Sequence, residues 1–339
     1  MVLEKQIEGL ILAGQFLPAV NEIKEKIKAA GRLSGEPRKQ QLTAIETLIA
    51  LLAAKQKNRL DVSLANLANT LLKAKFFRQA EATYQQALAL NPRDQVSLSG
   101  LADTFQKQGK FPASEATYKK ALALNPRNQV SLNGLADTFQ KQGKFPEAEA
   151  TYKKALALNP RNQVSLSGLA SVFYGRDRFS QALELVERCL AIDAKNQTAL
   201  VLKANILRRQ KDFDQAITLC RQVLAFNSVE AGQQEAAKLC LGFCYLEQYH
   251  LSGLASDYQS AENLLKPLSG KMAHACLGLV FLGCYRAEKE SALRSSLFAA
   301  CQHYLQLAAK LDSEAKDLAG AEREVERTFS SLLVTSPSS

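Results

Sequence analysis

Residues Gln95–Asn128 and Gln129–Asn162 are one 34-residue sequence written twice, identical at 31 positions. They differ only at Ser99/Asn133, Ala113/Glu147 and Ser114/Ala148. The frame continues outward, through Asp61–Asp94 before them and Gln163–Asn196 and Gln197–Glu230 after. Five ungapped registers restrict the fold to a repeat array, in which no unit owns a core and burial comes from stacking on neighbours.

The pattern inside one register identifies the unit. In Gln129–Asn162, Leu132, Leu135, Ala136 and Phe139 recur at helical spacing, and Gly143 supplies the left-handed residue that ends a helix. Phe145-Pro146-Glu147-Ala148-Glu149 then opens a second helix, with Pro in the first turn and acids at the positive end of the dipole. Ala148, Tyr152 and Ala155 form its apolar stripe, and Asn159-Pro160 turns the chain into the next unit. Each register is therefore two short antiparallel helices. The abundance of Ala, Leu, Lys and Gln, with only 17 Gly and 9 Pro, supports an all-α chain.

These residues resemble the tetratricopeptide repeat family. The family's run of a large residue, Leu, a small residue, an aromatic, a small residue, an aromatic and Pro is met by Leu132, Leu135, Ala136, Phe139, Ala148, Tyr152 and Pro160. Leu98, Leu101, Ala102, Phe105, Ser114, Tyr118 and Pro126 meet it one unit earlier, and Leu64, Leu67, Ala68, Leu71, Ala80, Tyr84 and Pro92 two units earlier. The last two units drift: Val186 and Cys220 replace the second aromatic, Ala194 and Ser228 replace Pro, and Lys203 takes the inner Leu position. The resemblance implies a right-handed superhelical solenoid of antiparallel helix pairs, non-catalytic and without a cofactor.

Flanking the five units at 61–94, 95–128, 129–162, 163–196 and 197–230, residues 1–60 read as an N-terminal helical cap with a degenerate repeat. Its turn is Leu12 to Ala19 and its last helix covers roughly Arg38–Lys57. Residues 231–312 read as two degenerate hairpins, 235–268 and 271–312, the first with a long connection near Tyr249 to Asp257. A capping helix over 313–333 and a disordered tail over 334–339 complete the expectation.

Composition narrows the function classes. The first residues carry Glu where a signal peptide needs basic and then apolar ones, and the longest apolar run, Ala275 to Tyr285, is about half the ~20 residues of a spanning helix. The seven Cys are an odd number absent from the first half of the chain, which fits a reducing compartment, so a cytoplasmic protein without membrane insertion is expected. His250, His274 and His303 sit beside no nucleophile signature. Cys240 and Cys244, with His274, Cys276 and Cys284, lack the paired spacing of a zinc site and read as core residues, as do Cys189 and Cys220. Asp103 and Asp137 could mimic a two-acid site, but Lys107 and Lys141 one turn later suggest intrahelical ion pairs. Gly109-Lys110 and Gly143-Lys144 lack the rest of a phosphate loop. Neither an enzyme nor a metal or small-molecule site is expected.

The family's partners usually lie along the first helix of each hairpin, which implies a binding groove lined off the packing stripe. It comprises Asn69 and Lys73; Ser99, Asp103, Gln106 and Lys107; Asn133, Asp137, Gln140 and Lys141; Ser167, Ser171 and Tyr174; and Asn205, Arg208 and Arg209. Amides for a peptide backbone, cations for acidic groups and one aromatic suit an extended or helical segment of another protein. The family's carboxylate clamp for chaperone tails is disfavoured, because Asp103 and Asp137 stand at two of its sites. The expected role is a scaffold, adaptor or assembly factor; alternatives are a regulatory subunit of an enzyme, or nucleic-acid contact through the net charge of +10. The last is disfavoured, since Lys119, Lys120, Lys153 and Lys154 lie on second helices and aromatic platforms are scarce.

Overall fold

The computed structural model describes residues 2–56, 59–252, 260, 261 and 263–265, and every regular element among them is an α-helix. The chain divides into two compact units, 1–158 and 159–339. The first unit holds α1 (Val2–Leu12), α2 (Phe16–Gly31), α3 (Gly35–Lys55), α4 (Leu60–Lys73), α5 (Phe77–Leu90), α6 (Gln95–Lys107), α7 (Phe111–Leu124), α8 (Gln129–Lys141) and α9 (Phe145–Leu158). The second holds α10 (Gln163–Gly175), α11 (Phe179–Ile192), α12 (Gln197–Arg209), α13 (Phe213–Leu224) and α14 (Ala231–Ser252). Within each unit successive helices pack as antiparallel pairs, and the first helices of neighbouring pairs also touch. The all-α array of helix pairs expected from the sequence is what forms.

Each pair turns through one left-handed residue, and that residue recurs every 34 positions: Lys75, Gly109, Gly143, Asp177 and Lys211, with φ between 57° and 74°. Only two of the five are glycine. The other three accept a conformation that disfavours side chains by about 1–2 kcal/mol, so the fold imposes this turn even where the residue does not favour it. The opposite turn depends on a polar side chain. Asn128 caps α8 by accepting from Ser131 N at 3.1 Å and donates to Gln95 Oε1 at 3.0 Å. Gln95 in turn donates to the Ala121 carbonyl at 3.1 Å, closing the helix pair at that end. Asn196 repeats the arrangement in the second unit, capping Ala199 N and donating to Gln163.

Between pairs, the contact is tyrosine on glycine. A Cβ added to Gly100 would lie 2.3 Å from the Tyr84 ring and hydroxyl, and one added to Gly134 would lie 2.2 Å from Tyr118. The second-helix tyrosine therefore rests directly on the backbone of the next first helix. At the equivalent positions of the second unit stand Val186 and Leu202, a smaller residue than Tyr and a larger one than Gly. On the rim, Lys110 pairs with Glu81 and Lys144 with Glu115, each at 2.8 Å, tying second helices to the turn of the following pair.

The N-terminal helices extend the same core with different residues. Ile7, Ile11, Ile23, Ile27 and Ile45 are at most 1% exposed, where the repeats use Leu and Ala. Lys26 is buried there against Glu4 at 2.8 Å. Helix α3 begins at Gly35, three residues before the start read from the sequence, and α14 runs on to Ser252 through the connection expected from Tyr249. The second hairpin expected over 271–312, the capping helix and the tail lie outside the described residues.

Two measurements check this packing. Gly134→Ala should lose about 1–3 kcal/mol in urea denaturation from overpacking, although Ala alone favours a helix by up to about 1 kcal/mol. The double change Gly134→Leu/Tyr118→Val, copying Leu202 and Val186, should recover most of that loss; an equally unstable double variant would refute the exchange. Separately, hydrogen bonds from Lys119 and Lys144 hold Glu115 down to about 2 from 4.5. A carboxylate depressed on folding stabilises above its unfolded value and loses that contribution as pH falls through the folded one. The stability gap between wild type and Glu115→Gln should accordingly shrink between pH 4.5 and about 2, and a gap independent of pH there would contradict the pairing.

Candidate partner-binding face

First helices lie side by side within each unit, α4 with α6 and α6 with α8, and α10 with α12 and α12 with α14. The face they share is where the sequence-derived groove residues fall, and the structure sorts them into three groups.

One group is buried between helices. Gln106 is 5% exposed and donates to Thr138 Oγ1 at 2.9 Å and to the Gly134 carbonyl at 3.3 Å. Ser99, 8% exposed, shares a hydrogen bond with Ser131 at 2.9 Å. Ser167 is buried and donates to the Gln163 carbonyl of its own helix at 2.9 Å. Arg208, 3% exposed, pairs with Glu247 at 2.6 Å and stacks over the Phe243 ring at 4.9 Å. These four side chains, expected at the open surface, are instead part of the packing. Gln106, Ser99 and Arg208 face the neighbouring first helix, while Ser167 bonds back within α10.

A second group is open. Lys73, Lys107 and Lys141 are exposed at 34-residue spacing on α4, α6 and α8. Lys141 leans on Asp137 at 3.3 Å and donates to Gln106 Oε1 at 3.3 Å. The equivalent Asp103–Lys107 ion pair expected from the sequence does not form. Burial raises the Asp103 pKa, Lys107 and Lys141 oppose that through space, and Asp137 adds to it.

The third group is half-buried. Asn69 accepts from the Tyr84 hydroxyl at 2.6 Å, and Asn133, Asp137 and Gln140 line α8. In the second unit, Ser171 and Tyr174 line α10, and Tyr174 packs on Phe179 with ring centroids 6.0 Å apart. Asn205 bonds back to the Val201 carbonyl at 3.0 Å, and Arg209 pairs with Asp177 at 2.8 Å and stacks over Phe179.

Comparison with known proteins places this arrangement. Tetratricopeptide repeat models match residues 94–161 and 128–195, and a second model of the same repeat matches 173–239. Residues 94–239 are tetratricopeptide repeats. A tetratricopeptide repeat protein from Parabacteroides merdae superposes with a TM-score of 0.56 at 15% identity, covering 84% of this chain and 98% of that one. PilW, a widely conserved type IV pilus biogenesis factor, superposes with a TM-score of 0.50 at 16% identity, covering 63% of this chain and 94% of that one. At these identities the likeness is one of fold. No curated protein matches the chain.

Tetratricopeptide repeats are protein-interaction scaffolds, and proteins built on them bind other proteins or peptides. The fold family is typically non-catalytic. No helix among the described residues is long and apolar enough to cross a membrane. Among the described residues no group of three or more His, Cys, Asp or Glu is arranged to hold a metal. Cys220, Cys240 and Cys244 do meet in one apolar cluster of the second unit. Hydrogen bonding to Cys240 and then burial push the Cys220 and Cys244 thiols well up, which keeps them protonated and unreactive.

The cap Asn128, the Gln95 that ties its turn, and the seating glycines Gly100 and Gly134 escaped sequence reasoning. All recur at the repeat period, which is the signal that could have found them.

Arg208 separates packing from surface. Arg208→Ala should cost about 1–3 kcal/mol by removing the ion pair to Glu247 and uncovering Phe243. Lys107→Ala should stay within about 0.5 kcal/mol. Chemical denaturation of the two variants checks the assignment, and comparable losses would show that Arg208 is not an interior residue.

Proposed function

We propose that the protein binds an extended segment of a partner protein along its first helices, with α4, α6 and α8 as the principal surface. The observation that carries this reading is the row of Lys73, Lys107 and Lys141 beside Asn69, Asp103 and Asp137. One cation and one amide or acid recur on each helix at the repeat spacing. A chain laid across the row would meet the same chemistry at every step, which suits main-chain and side-chain recognition without a deep pocket. Two lysines of the second helices have other partners: Lys119 pairs with Glu115 at 2.6 Å and Lys153 with Glu149 at 2.7 Å. Their charge is taken up within the fold, which argues against a broad phosphate-binding surface.

A steric test avoids assuming the partner's charge. Affinity capture from native extract with Lys107→Trp/Lys141→Trp should lose the proteins that wild type retains, while Lys120→Trp/Lys154→Trp, exposed on α7 and α9, should retain them. Loss with the second pair and retention with the first would move the binding surface to the other side of the helix pairs.

A further inference from the structure

Tyr84, Tyr118 and Tyr152 occupy one repeat position and are each at most 3% exposed. Their hydroxyls meet different neighbours. Tyr84 donates to Asn69 Oδ1 at 2.6 Å. One repeat later Asn69 becomes Asp103, and two later Asp137, and there the hydroxyls of Tyr118 and Tyr152 make no hydrogen bond among the described residues. Because the Tyr118 ring sits against Gly134, its hydroxyl is carried onto α8, within electrostatic reach of both Asp103 and Asp137. Burial first, and then these two carboxylates, push the Tyr118 phenol well up; burial and then Asp137 do the same for Tyr152. Both phenols stay protonated, as donors that can also accept.

Asp103 completes the site. It is half-buried on the open side of α6 and has neither a hydrogen bond nor an ion pair among the described residues. A carboxylate in that position has lost part of its hydration without a protein donor in return. Asp137 is held by Lys141 at 3.3 Å, a long contact that a better-placed cation can replace. What answers a carboxylate beside a buried phenol oxygen is a donor with several N–H groups. A guanidinium or an ammonium can bond both oxygens at once. A carboxylate ligand would instead be repelled by Asp103.

We propose that Asp103 with Tyr118, and Asp137 with Tyr152, are two repeat-spaced receptors for arginine or lysine side chains of the bound segment. This rests on the reading of the first-helix face as the binding surface. It makes the partner segment basic at the positions that meet α6 and α8, with the exposed Lys107 and Lys141 at the margin of each receptor. Since the two receptors are built from the same residues, a segment carrying basic residues twice engages both and gains by linkage.

Selection of a displayed library of random dodecapeptides on the full-length chain tests this. Peptides enriched in Arg and Lys should emerge, and fluorescence anisotropy should show their affinity falling roughly tenfold or more for Asp103→Asn/Asp137→Asn, as for the loss of a charge-assisted hydrogen bond. Tyr118→Phe/Tyr152→Phe should weaken binding by a smaller factor, and Lys107→Ala/Lys141→Ala should tighten it, because Lys141 no longer occupies Asp137 and neither lysine repels the incoming cation. Peptides enriched in Asp and Glu that need Lys107 and Lys141 would overturn the receptor assignment while leaving the first-helix surface in place. Peptides indifferent to all three pairs would overturn both. Recovery of no peptide that depends on Asp103 or Asp137, from a chain whose thermal melt matches wild type, would also overturn it.

Discussion

The seating of a tyrosine ring on a helix backbone sets the geometry of this chain. Tyr84 on Gly100 and Tyr118 on Gly134 bring a second helix against the next first helix at a distance only a missing Cβ allows. Once that distance is set, successive first helices come into register, and residues 32 to 34 apart become neighbours across helices. Asp103 comes within electrostatic reach of Asp137 for this reason, and Gln106 bonds Thr138. Where the ring is lost, as at Val186, the position equivalent to the seating glycine holds Leu202, so bulk is removed at one position and added at the other.

Near-identity of the two central repeats does not make them equivalent. Ser114 donates to the Ala102 carbonyl at 2.8 Å and shares a hydrogen bond with Thr138 at 3.1 Å. Gln106 joins the same buried network from α6. One repeat later Ala148 stands where Ser114 does and cannot take part. Two of the three differences, Ser99/Asn133 and Ser114/Ala148, thus fall at or beside the contact between α6 and α8. A polar contact of this kind contributes modest net stability, but a buried donor left unmatched is strongly destabilising, so it favours one alignment of the two helices over others.

The basic excess of the chain divides by helix. On second helices and turns, Lys110, Lys119, Lys144 and Lys153 are paired with Glu81, Glu115 and Glu149. On first helices the lysines stand beside amides and acids on an accessible side. Net charge alone therefore misrepresents α6 and α8, where an acid and a cation stand one turn apart, Asp103 with Lys107 and Asp137 with Lys141.

The repeat period, the two helices in each repeat and the apolar stripes are legible from the residues alone, because each of these is a local pattern of spacing and composition. Leu132, Leu135, Ala136, Phe139, Ala148, Tyr152 and Ala155 are all buried, at most 7% exposed. The sequence also located the left-handed turn where glycine marks it, at Gly109 and Gly143, but Lys75, Asp177 and Lys211 adopt it without that mark. Which polar residues of the first helices remain open depends on how neighbouring helices pack. Gln106, Ser99 and Arg208 have the composition of surface residues, yet hydrogen bonds and an ion pair to the neighbouring helix bury them. Helical spacing reports the side of its own helix on which a residue lies. It does not report how closely the next helix approaches, and here that approach is set by a tyrosine and a glycine 16 residues apart in sequence.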